Sequence, residues 1–486
     1  MKKLHELLDR FDTWVLVICL FVFSILRIPS LVEPSWYGDE GVYQVIGRAI
    51  RDGRLLYKDI WDNKPPLLYI YYAIVNSDLF SIRLLSLLFG AGAIVMFFFL
   101  AKKLVKNNTG VYVSTALYTV LFGLPLLEGN IANAENFMHL PIIASLYLLI
   151  SSEDKKKKYI YYLFAGFLLS LAFLTKIVAV FDFAAFITII FFIRIYEKKQ
   201  PLKRFFGFVS EESLFGIAFV FPILITMLYF FAGGAFGDFY RAAFSQNVGY
   251  VGSGNYFLFP MGKLFLKIGL LVFSLLLILK YFSFFKKNAG IILIWVIFSL
   301  FDTFFSDRPY THYILTLLPP FSLLVGLIFS EKKKIMYGVF SLIIIAAIGN
   351  SFIIYGKIGK YYLNYLSFVF GNKSMEDYQS FFDKSTPRDY ELARFIKNKS
   401  KDSNVFLWGD SPQIYFLTDK LPPGRYTVAY HITFYKDAVS ETKNDLKMKD
   451  VKFIIQTKDD PMLDTFLTSY TLRYKIRDAK VYEREI

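Results

Sequence analysis

The chain has 486 residues, of which 55% are apolar and 54 are Phe, and its mean hydropathy is +0.43. This composition excludes a wholly water-soluble protein, because no soluble core requires so much apolar surface. The formal net charge of +15 does not indicate nucleic-acid binding. The excess of basic residues instead reflects membrane topology and the attraction of cytoplasmic segments to the anionic lipid of the inner leaflet.

The first apolar run covers residues 14–28 and contains the single cysteine, Cys19. Because Lys2 and Lys3 precede it, the run has two interpretations, a secretory signal and a retained span. Residues 28–30, Ile-Pro-Ser, make a poor cleavage site, and further apolar runs of about 20 residues follow, each enough to cross a bilayer. We therefore predict a retained span and no contribution from disulfides.

Eleven apolar runs predict an α-helical polytopic membrane bundle. They cover residues 14–28, 82–101, 111–127, 137–151, 159–175, 180–194, 213–232, 264–281, 289–305, 312–330 and 335–355. With the N-terminus in the cytoplasm, the short cytoplasmic segments hold 21 Lys and Arg residues and the short outer loops hold five. This bias predicts an N-in orientation, and the odd number of spans places the C-terminus outside.

An acidic pair, Asp39 and Glu40, opens the loop between the first and second spans. The residues that follow have apolar side chains at helical spacing and a polar face that includes Gln44 and Arg48. This pattern predicts an interfacial helix that lies flat in the headgroup layer. Asp39 either caps this helix, since Asp is a favoured N-cap, or accepts a proton or holds a cation.

The same loop ends in the segment WDNKPP, residues 61–66. Its prolines stiffen the approach to the next span. Lys64 either extends to ordinary headgroups, as basic side chains near span ends do, or pairs with an anion at this depth. A lipid-linked phosphate at the outer leaflet is the candidate anion. Asp62 is a further candidate for the wall of a cavity here.

Two more outer loops carry ionisable side chains beside predicted spans. These side chains are Glu128 and Glu135 near the fourth span, and Asp307, Arg308, His312 and Tyr313 just before the tenth. Together with the first loop, they predict a site at the outer face of the bundle.

Beyond residue 355 charged and turn residues return, which predicts two domains, a membrane domain over 1–355 and an extracytoplasmic α/β domain over 356–486. A helical pattern follows residue 388, and NVFLW and VKFIIQ are typical of buried strands. Further helices are expected near 411–418, 435–447 and 461–469. Asp410 and Ser411 either cap a helix or contact an acceptor. His431 stands isolated in the sequence and is interpreted as structural or solvated.

Five motifs occur in a fixed order: DE in the first outer loop, KPP before the next span, NAENFMHLP at the fourth, RPYTHYILTLLPP at the tenth, and NVFLWGDSPQIYFLTDKLPPGRY in the C-terminal domain. In this order they resemble the C-type integral-membrane glycosyltransferases, of the dolichyl-phosphate-mannose protein mannosyltransferase and aminoarabinose lipid A transferase types. The resemblance covers residues 14 to about 426. It implies sugar transfer, outside the cytoplasm at the cell inner membrane, from a polyprenyl-phosphate donor to a lipid, glycan or protein acceptor.

The resemblance also implies roles for individual residues. Asp39 matches the acidic residue that binds or deprotonates the acceptor, with Glu40 completing the pair. Lys64 matches the lysine that neutralises the donor phosphate. Glu135 falls near the second acidic position of the family. The positions of the donor-phosphate and lipid contacts correspond to Arg308, His312 and Tyr313.

One departure concerns metal binding. Asn133 stands where some relatives have a carboxylate, so the resemblance does not imply a metal role at that position. A divalent cation elsewhere, the sugar, the acceptor and the oligomeric state stay open.

We predict an inverting single displacement, because only one outer carboxylate pair is well placed and no second nucleophile is evident. The polyprenyl phosphate leaves as a dianion, which Lys64, with Arg308 or Arg241, would stabilise, while Asp39 takes the proton of the acceptor hydroxyl. Two alternatives remain: a transporter or flippase of lipid-linked sugars, and a ligase or polymerase of lipid-linked glycans. The transporter is disfavoured because the candidate charges lie at the outer ends of spans and no repeated half is visible.

Overall fold

The computed structural model describes residues 10–153, 156–195, 201–248, 251, 255–256, 261–281, 284–306, 308–400, 404–435 and 437–485. The chain divides into two compact units. Unit 1 consists of Met1–Ile28, Leu84–Tyr229 and Ser245–Ile358, and unit 2 of Pro29–Arg83, Phe230–Phe244 and Gly359–Ile486. Residues of the first outer loop therefore fold together with the C-terminal segment. The domain boundary after residue 355 stays a prediction.

Each predicted span coincides with a helix. The helices are Arg10–Arg27, Leu79–Leu104, Asn108–Gly123, Ala134–Ser151, Lys158–Thr175, Val180–Ile195, Pro201–Ala232, Gly262–Lys280, Lys287–Thr303, Leu318–Ser330 and Lys334–Ser351. Within the described ranges, nine helical segments are long and apolar enough to cross a membrane. Two of these segments include the 3₁₀ helix that precedes the α-helix, Ile177–Arg194 with 18 residues and Thr311–Ser330 with 20. The other two helices, Asn108–Gly123 and Lys287–Thr303, have 16 and 17 residues. The polytopic helical fold is confirmed, while the count of eleven and the orientation stay predictions.

Small residues allow close helix packing in unit 1. Helix Asn108–Gly123 packs against helix Leu318–Ser330. A Cβ added at Gly110 would lie 2.5 Å from the carbonyl oxygen of Gly326, and one added at Gly326 would lie 2.9 Å from the carbonyl oxygen of Gly110. Close backbone approach of this kind is a usual source of packing energy between membrane helices. A larger side chain at either glycine would separate the two helices.

The C-terminal part of unit 2 contains a four-stranded sheet. Its strands are β1 (Asn404–Trp408), β2 (Val451–Gln456), β3 (Tyr470–Ile476) and β4 (Ala479–Arg484), in the order β1-β2-β4-β3. Strands β1 and β2 are parallel, and the other two pairings are antiparallel. The surrounding helices are Ile358–Val369, Met375–Phe382, Thr386–Lys399, Gln413–Leu417, Ala429–Phe434 and Ala438–Met448, with a 3₁₀ helix at Pro461–Phe466. The predicted α/β fold is confirmed. The hairpin of β3 and β4 was not predicted.

The helix Gly38–Arg51, here called the Asp39 helix, lies within unit 2. Its N-cap is Tyr37 and Asp39 lies in its first turn, so the alternative in which Asp39 caps the helix is wrong. Gln44, expected on the solvated face, is fully buried and donates to the carbonyl oxygen of Ser77 at 2.9 Å. The helix itself is confirmed, and its position in the headgroup layer stays a prediction.

Two other helices of unit 2 hold the Asp39 helix in place. It packs against Pro66–Ile74 and Gln413–Leu417. At Gly41 an added Cβ would lie 2.8 Å from the backbone nitrogen of Gln413, so this contact requires glycine. The turn before Gln413 is thereby pressed against the first turn of the Asp39 helix.

Asp410 and Ser411 do not cap the helix Gln413–Leu417, whose N-cap is Pro412, so that prediction is wrong. Asp410 instead pairs with Lys458 at 2.9 Å. Ser411 Oγ accepts a hydrogen bond from Arg388 Nη2 at 3.2 Å. Both side chains therefore stabilise the turn through partners elsewhere in the domain.

Candidate active site

Asp39 and Lys64 are neighbours in unit 2. Lys64 Nζ lies 3.6 Å from Asp39 Oδ2 and 4.9 Å from the centroid of the Tyr43 ring. The Tyr43 hydroxyl donates to the same carboxylate oxygen at 3.1 Å. The Asp39 side chain is 40% exposed and the Lys64 side chain 19%. A substrate can therefore reach the carboxylate from solvent, while the ammonium is largely enclosed.

Two tyrosines hold the main chain of Lys64. The Tyr57 hydroxyl donates to the carbonyl oxygen of Lys64 at 2.7 Å, and the Lys64 N–H donates to the Tyr69 oxygen at 3.2 Å. The Tyr69 hydroxyl in turn donates to Asp62 Oδ2 at 2.7 Å. Both tyrosines are fully buried. Burial, reinforced by the Asp62 carboxylate, raises the pKa of both phenols well above the ordinary value, so both are neutral donors.

His431, which is isolated in the sequence, lies beside Asp62 in the structure. Its Nε2 is 3.9 Å from Asp62 Oδ1, and its ring meets the Trp61 ring edge to face at a centroid distance of 4.8 Å. His431 is 2% exposed, so the alternative of a solvated histidine is wrong. Burial lowers the pKa of His431 to about 4; nearby Lys64 adds to this effect, and Asp62, Asp39 and Asp410 oppose it.

We expect the protein to lose thermal stability as the pH falls from about 6.5 towards 4. The folded-state pKa of His431, about 4, lies below its ordinary value of 6.5. In that window the unfolded chain binds a proton that the folded chain does not. The free energy of unfolding therefore decreases as the pH is lowered. The full shift corresponds to about 3 kcal/mol. Melting temperature against pH measures the effect. A His431→Gln variant should lack this step, and an equal slope in both proteins would assign the loss to other groups.

Glu40 has a different environment from Asp39. It is 1% exposed, and its two carboxylate oxygens accept from Arg83 Nε at 3.1 Å and Nη2 at 2.5 Å. Arg83 Nη1 also donates to the carbonyl oxygens of Ser30 and Glu33 at 2.8 and 3.1 Å. The buried pair of Glu40 and Arg83 therefore connects the beginning of the first outer loop to its end. The geometry favours a positioning role for Glu40, and its catalytic role stays a prediction.

A second ionisable cluster lies in unit 1. Glu128 has a left-handed backbone with φ of 59°. Its carboxylate accepts from Thr311 Oγ1 at 2.7 Å and contacts His312 Nδ1 at 3.0 Å. His312 Nε2 lies 3.9 Å from Glu135 Oε1. The two predicted outer loops around residues 128–135 and 308–313 therefore meet in space.

Lys176, one of the five basic residues of the short outer loops, also belongs to this cluster. It forms an ion pair with Glu135, which is fully buried in the first turn of helix Ala134–Ser151. Lys176 Nζ lies 4.6 Å from the centroid of the Tyr313 ring. The cluster thus combines two carboxylates, a histidine and an ammonium with an aromatic ring.

The remaining candidates are less closely defined. Arg308 is partly buried in unit 1, and Arg241 is exposed in unit 2. Asp307 lies outside the described residues. Within the described part of the chain, no group of three or more His, Cys, Asp and Glu side chains is arranged to hold a metal ion. We therefore assign no metal ligands.

Comparisons with known proteins agree with this description. Residues 64–234 match the family model of the dolichyl-phosphate-mannose-protein mannosyltransferases. The structure of ArnT from Cupriavidus metallidurans bound to undecaprenyl phosphate is similar, with a TM-score of 0.55, 14% sequence identity and coverage of 97% of both chains. The archaeal oligosaccharyltransferase AglB from Archaeoglobus fulgidus, in complex with an inhibitory peptide and a dolichol-phosphate, gives a TM-score of 0.50 at 12% identity and covers 92% of this chain and 69% of that one. Curated protein sequences give no significant match. The resemblance predicted from the sequence is thereby confirmed.

Proposed function

We propose that this multi-pass membrane protein, which has the fold of the C-type glycosyltransferases, transfers a sugar from a polyprenyl-phosphate donor to an acceptor outside the cytoplasm at the cell inner membrane. The observation that carries the proposal is the pair of Asp39 and Lys64, whose charged groups lie 3.6 Å apart. The similar structures of ArnT and AglB contain undecaprenyl phosphate and dolichol-phosphate, which supports this class of donor. The acceptor is a lipid, glycan or protein.

Lys64 acts on the leaving group. When the bond between the sugar and the phosphate breaks, the lipid phosphate becomes a dianion. An ammonium held beside it stabilises the charge that develops in the transition state. Lys64 suits this role because its side chain is only 19% exposed, so water screens its charge less than it would on an open surface. Within unit 2, Arg241 is a further candidate cation for the donor phosphate. The donor-phosphate and lipid contacts that the resemblance implies for Arg308, His312 and Tyr313 of unit 1 stay predictions.

Asp39 acts on the acceptor. An acceptor hydroxyl attacks the anomeric carbon from the face opposite the phosphate, so a new carbon–oxygen bond forms while the bond to the phosphate breaks. The hydroxyl proton passes to Asp39, which is exposed enough to meet the acceptor. The phosphate keeps the electron pair of the broken bond. Such a single displacement inverts the configuration at the anomeric carbon.

The test is an assay with purified protein and a polyprenyl phosphate that carries a radiolabelled sugar. Lipid, glycan and peptide acceptors are offered separately, with and without a chelator of divalent cations. We expect release of the lipid phosphate and movement of the label to one acceptor class. A transporter or flippase would move the donor across a vesicle membrane with its ester bond intact, and a ligase or polymerase would act only on donors that carry a longer glycan. Either result would overturn the proposal.

A further inference from the structure

The main chain at Lys64 has unusual hydrogen-bond partners. Lys64 precedes Pro65, which disfavours helical backbone at Lys64, and the following helix begins only at Pro66. The N–H and C=O of Lys64 therefore bond to neither a helix nor a strand. The Lys64 N–H instead donates to the Tyr69 oxygen at 3.2 Å, and the Lys64 carbonyl oxygen accepts from the Tyr57 hydroxyl at 2.7 Å. Side chains thus supply the order that regular secondary structure supplies elsewhere.

Asp62 fixes the direction of one of these bonds. A phenol has a single O–H hydrogen and donates it once. The Tyr69 hydroxyl donates to Asp62 Oδ2 at 2.7 Å, so the Tyr69 oxygen presents a lone pair to the Lys64 N–H. The carboxylate of Asp62 is itself only 4% exposed. Water therefore does not replace these bonds when one partner is removed, and each loss has a cost.

We infer that Tyr57, Tyr69 and Asp62 form a clamp that positions the Lys64 ammonium for the lipid phosphate. The inference rests on the proposed function. Lysine has a long flexible side chain, and ordering it costs conformational entropy. A fixed main chain restricts the directions in which the lysine side chain can leave the loop. Less conformational entropy is therefore lost when the substrate binds. The three clamp residues act through Lys64 and are positioning residues.

The test removes one hydroxyl and follows binding of undecaprenyl phosphate to the purified full-length protein. Tyr69→Phe should weaken this binding about tenfold, the size of one buried hydrogen bond. The matched control is Tyr415→Phe. Tyr415 is 1% exposed, and its oxygen accepts the backbone N–H of Leu407 at 2.9 Å. The control should lower the melting temperature as Tyr69→Phe does and leave the dissociation constant unchanged.

A double-mutant cycle separates positioning from general stability. In a Lys64→Met background, Tyr69→Phe should weaken binding no further, because the ammonium that the clamp positions is absent. A further tenfold loss in that background, or a Tyr69→Phe protein that binds as the wild type does, would overturn the inference alone. If Lys64→Met itself binds undecaprenyl phosphate as the wild type does, or if the wild type does not bind it, the proposed function fails as well.

Discussion

Lys64→Met should reduce sugar transfer about 10²- to 10³-fold, the usual effect of removing one preorganised group that stabilises charge in a transition state. Methionine keeps the length and much of the packing of the lysine side chain but has no charge. The phosphate gains negative charge as the sugar leaves, so the ammonium interacts more strongly with the transition state than with the bound donor. We therefore expect kcat to fall more than the donor KM rises.

The matched control is Lys58→Met, in the same loop. Lys58 is exposed, and its loss should leave the transfer rate within about twofold, since single surface substitutions have small effects. Radiolabelled transfer at several donor concentrations gives kcat and KM for both variants. A Lys64→Met enzyme that loses only donor affinity, with kcat intact, would show that Lys64 binds the donor without aiding bond cleavage.

The membrane helices could be predicted from sequence because lipid allows the backbone few alternatives. A spanning segment must satisfy its hydrogen bonds internally, so each long apolar run must form a helix. Outside the membrane that constraint is absent. The β3–β4 hairpin alternates apolar residues such as Leu472 and Tyr474 with charged residues such as Arg473 and Lys475. This period-two signal was present in the sequence but was obscured by the high charge of the segment.

Helix ends were harder to predict than helices. The Asp39 helix begins early enough that Tyr37 is its N-cap and Asp39 lies inside the first turn. The general preference of Asp for N-caps therefore favours the wrong one of the two alternatives, because it does not fix the residue at which a helix begins.

The candidate site could be predicted only where its residues are close in the sequence. Asp39 and Lys64 belong to one predicted outer loop, so the sequence alone predicts that they lie on the same side of the membrane. His431 reaches Asp62 through the fold of the C-terminal segment, and Lys176 reaches Glu135 through the packing of two helices. No local pattern marks either contact. Such residues become visible only when the long-range packing is known.

Asp39→Asn should lower the rate of transfer about 10²- to 10⁴-fold, the range that a positioned proton acceptor contributes. Asparagine has nearly the same shape and can still accept the hydrogen bond from Tyr43, which is 3.1 Å long in the native protein. It has no basic carboxylate, so the acceptor hydroxyl would attack without a proton acceptor.

The configuration of the product, measured by NMR with the wild-type enzyme, should be inverted relative to the donor.

Donor binding distinguishes a proton acceptor from a merely structural carboxylate. In the resting protein the Lys64 ammonium lies 3.6 Å from Asp39, and a lipid phosphate must compete for it. The Asn variant removes that competition, so it should bind undecaprenyl phosphate as tightly as the wild type or more tightly, while kcat falls. The control is Asp52→Asn, at the end of the same helix, whose exposed pair with Arg48 at 3.7 Å should contribute little. If Asp39→Asn weakens donor binding and leaves kcat unchanged, Asp39 only orients Lys64, and the base must be another group.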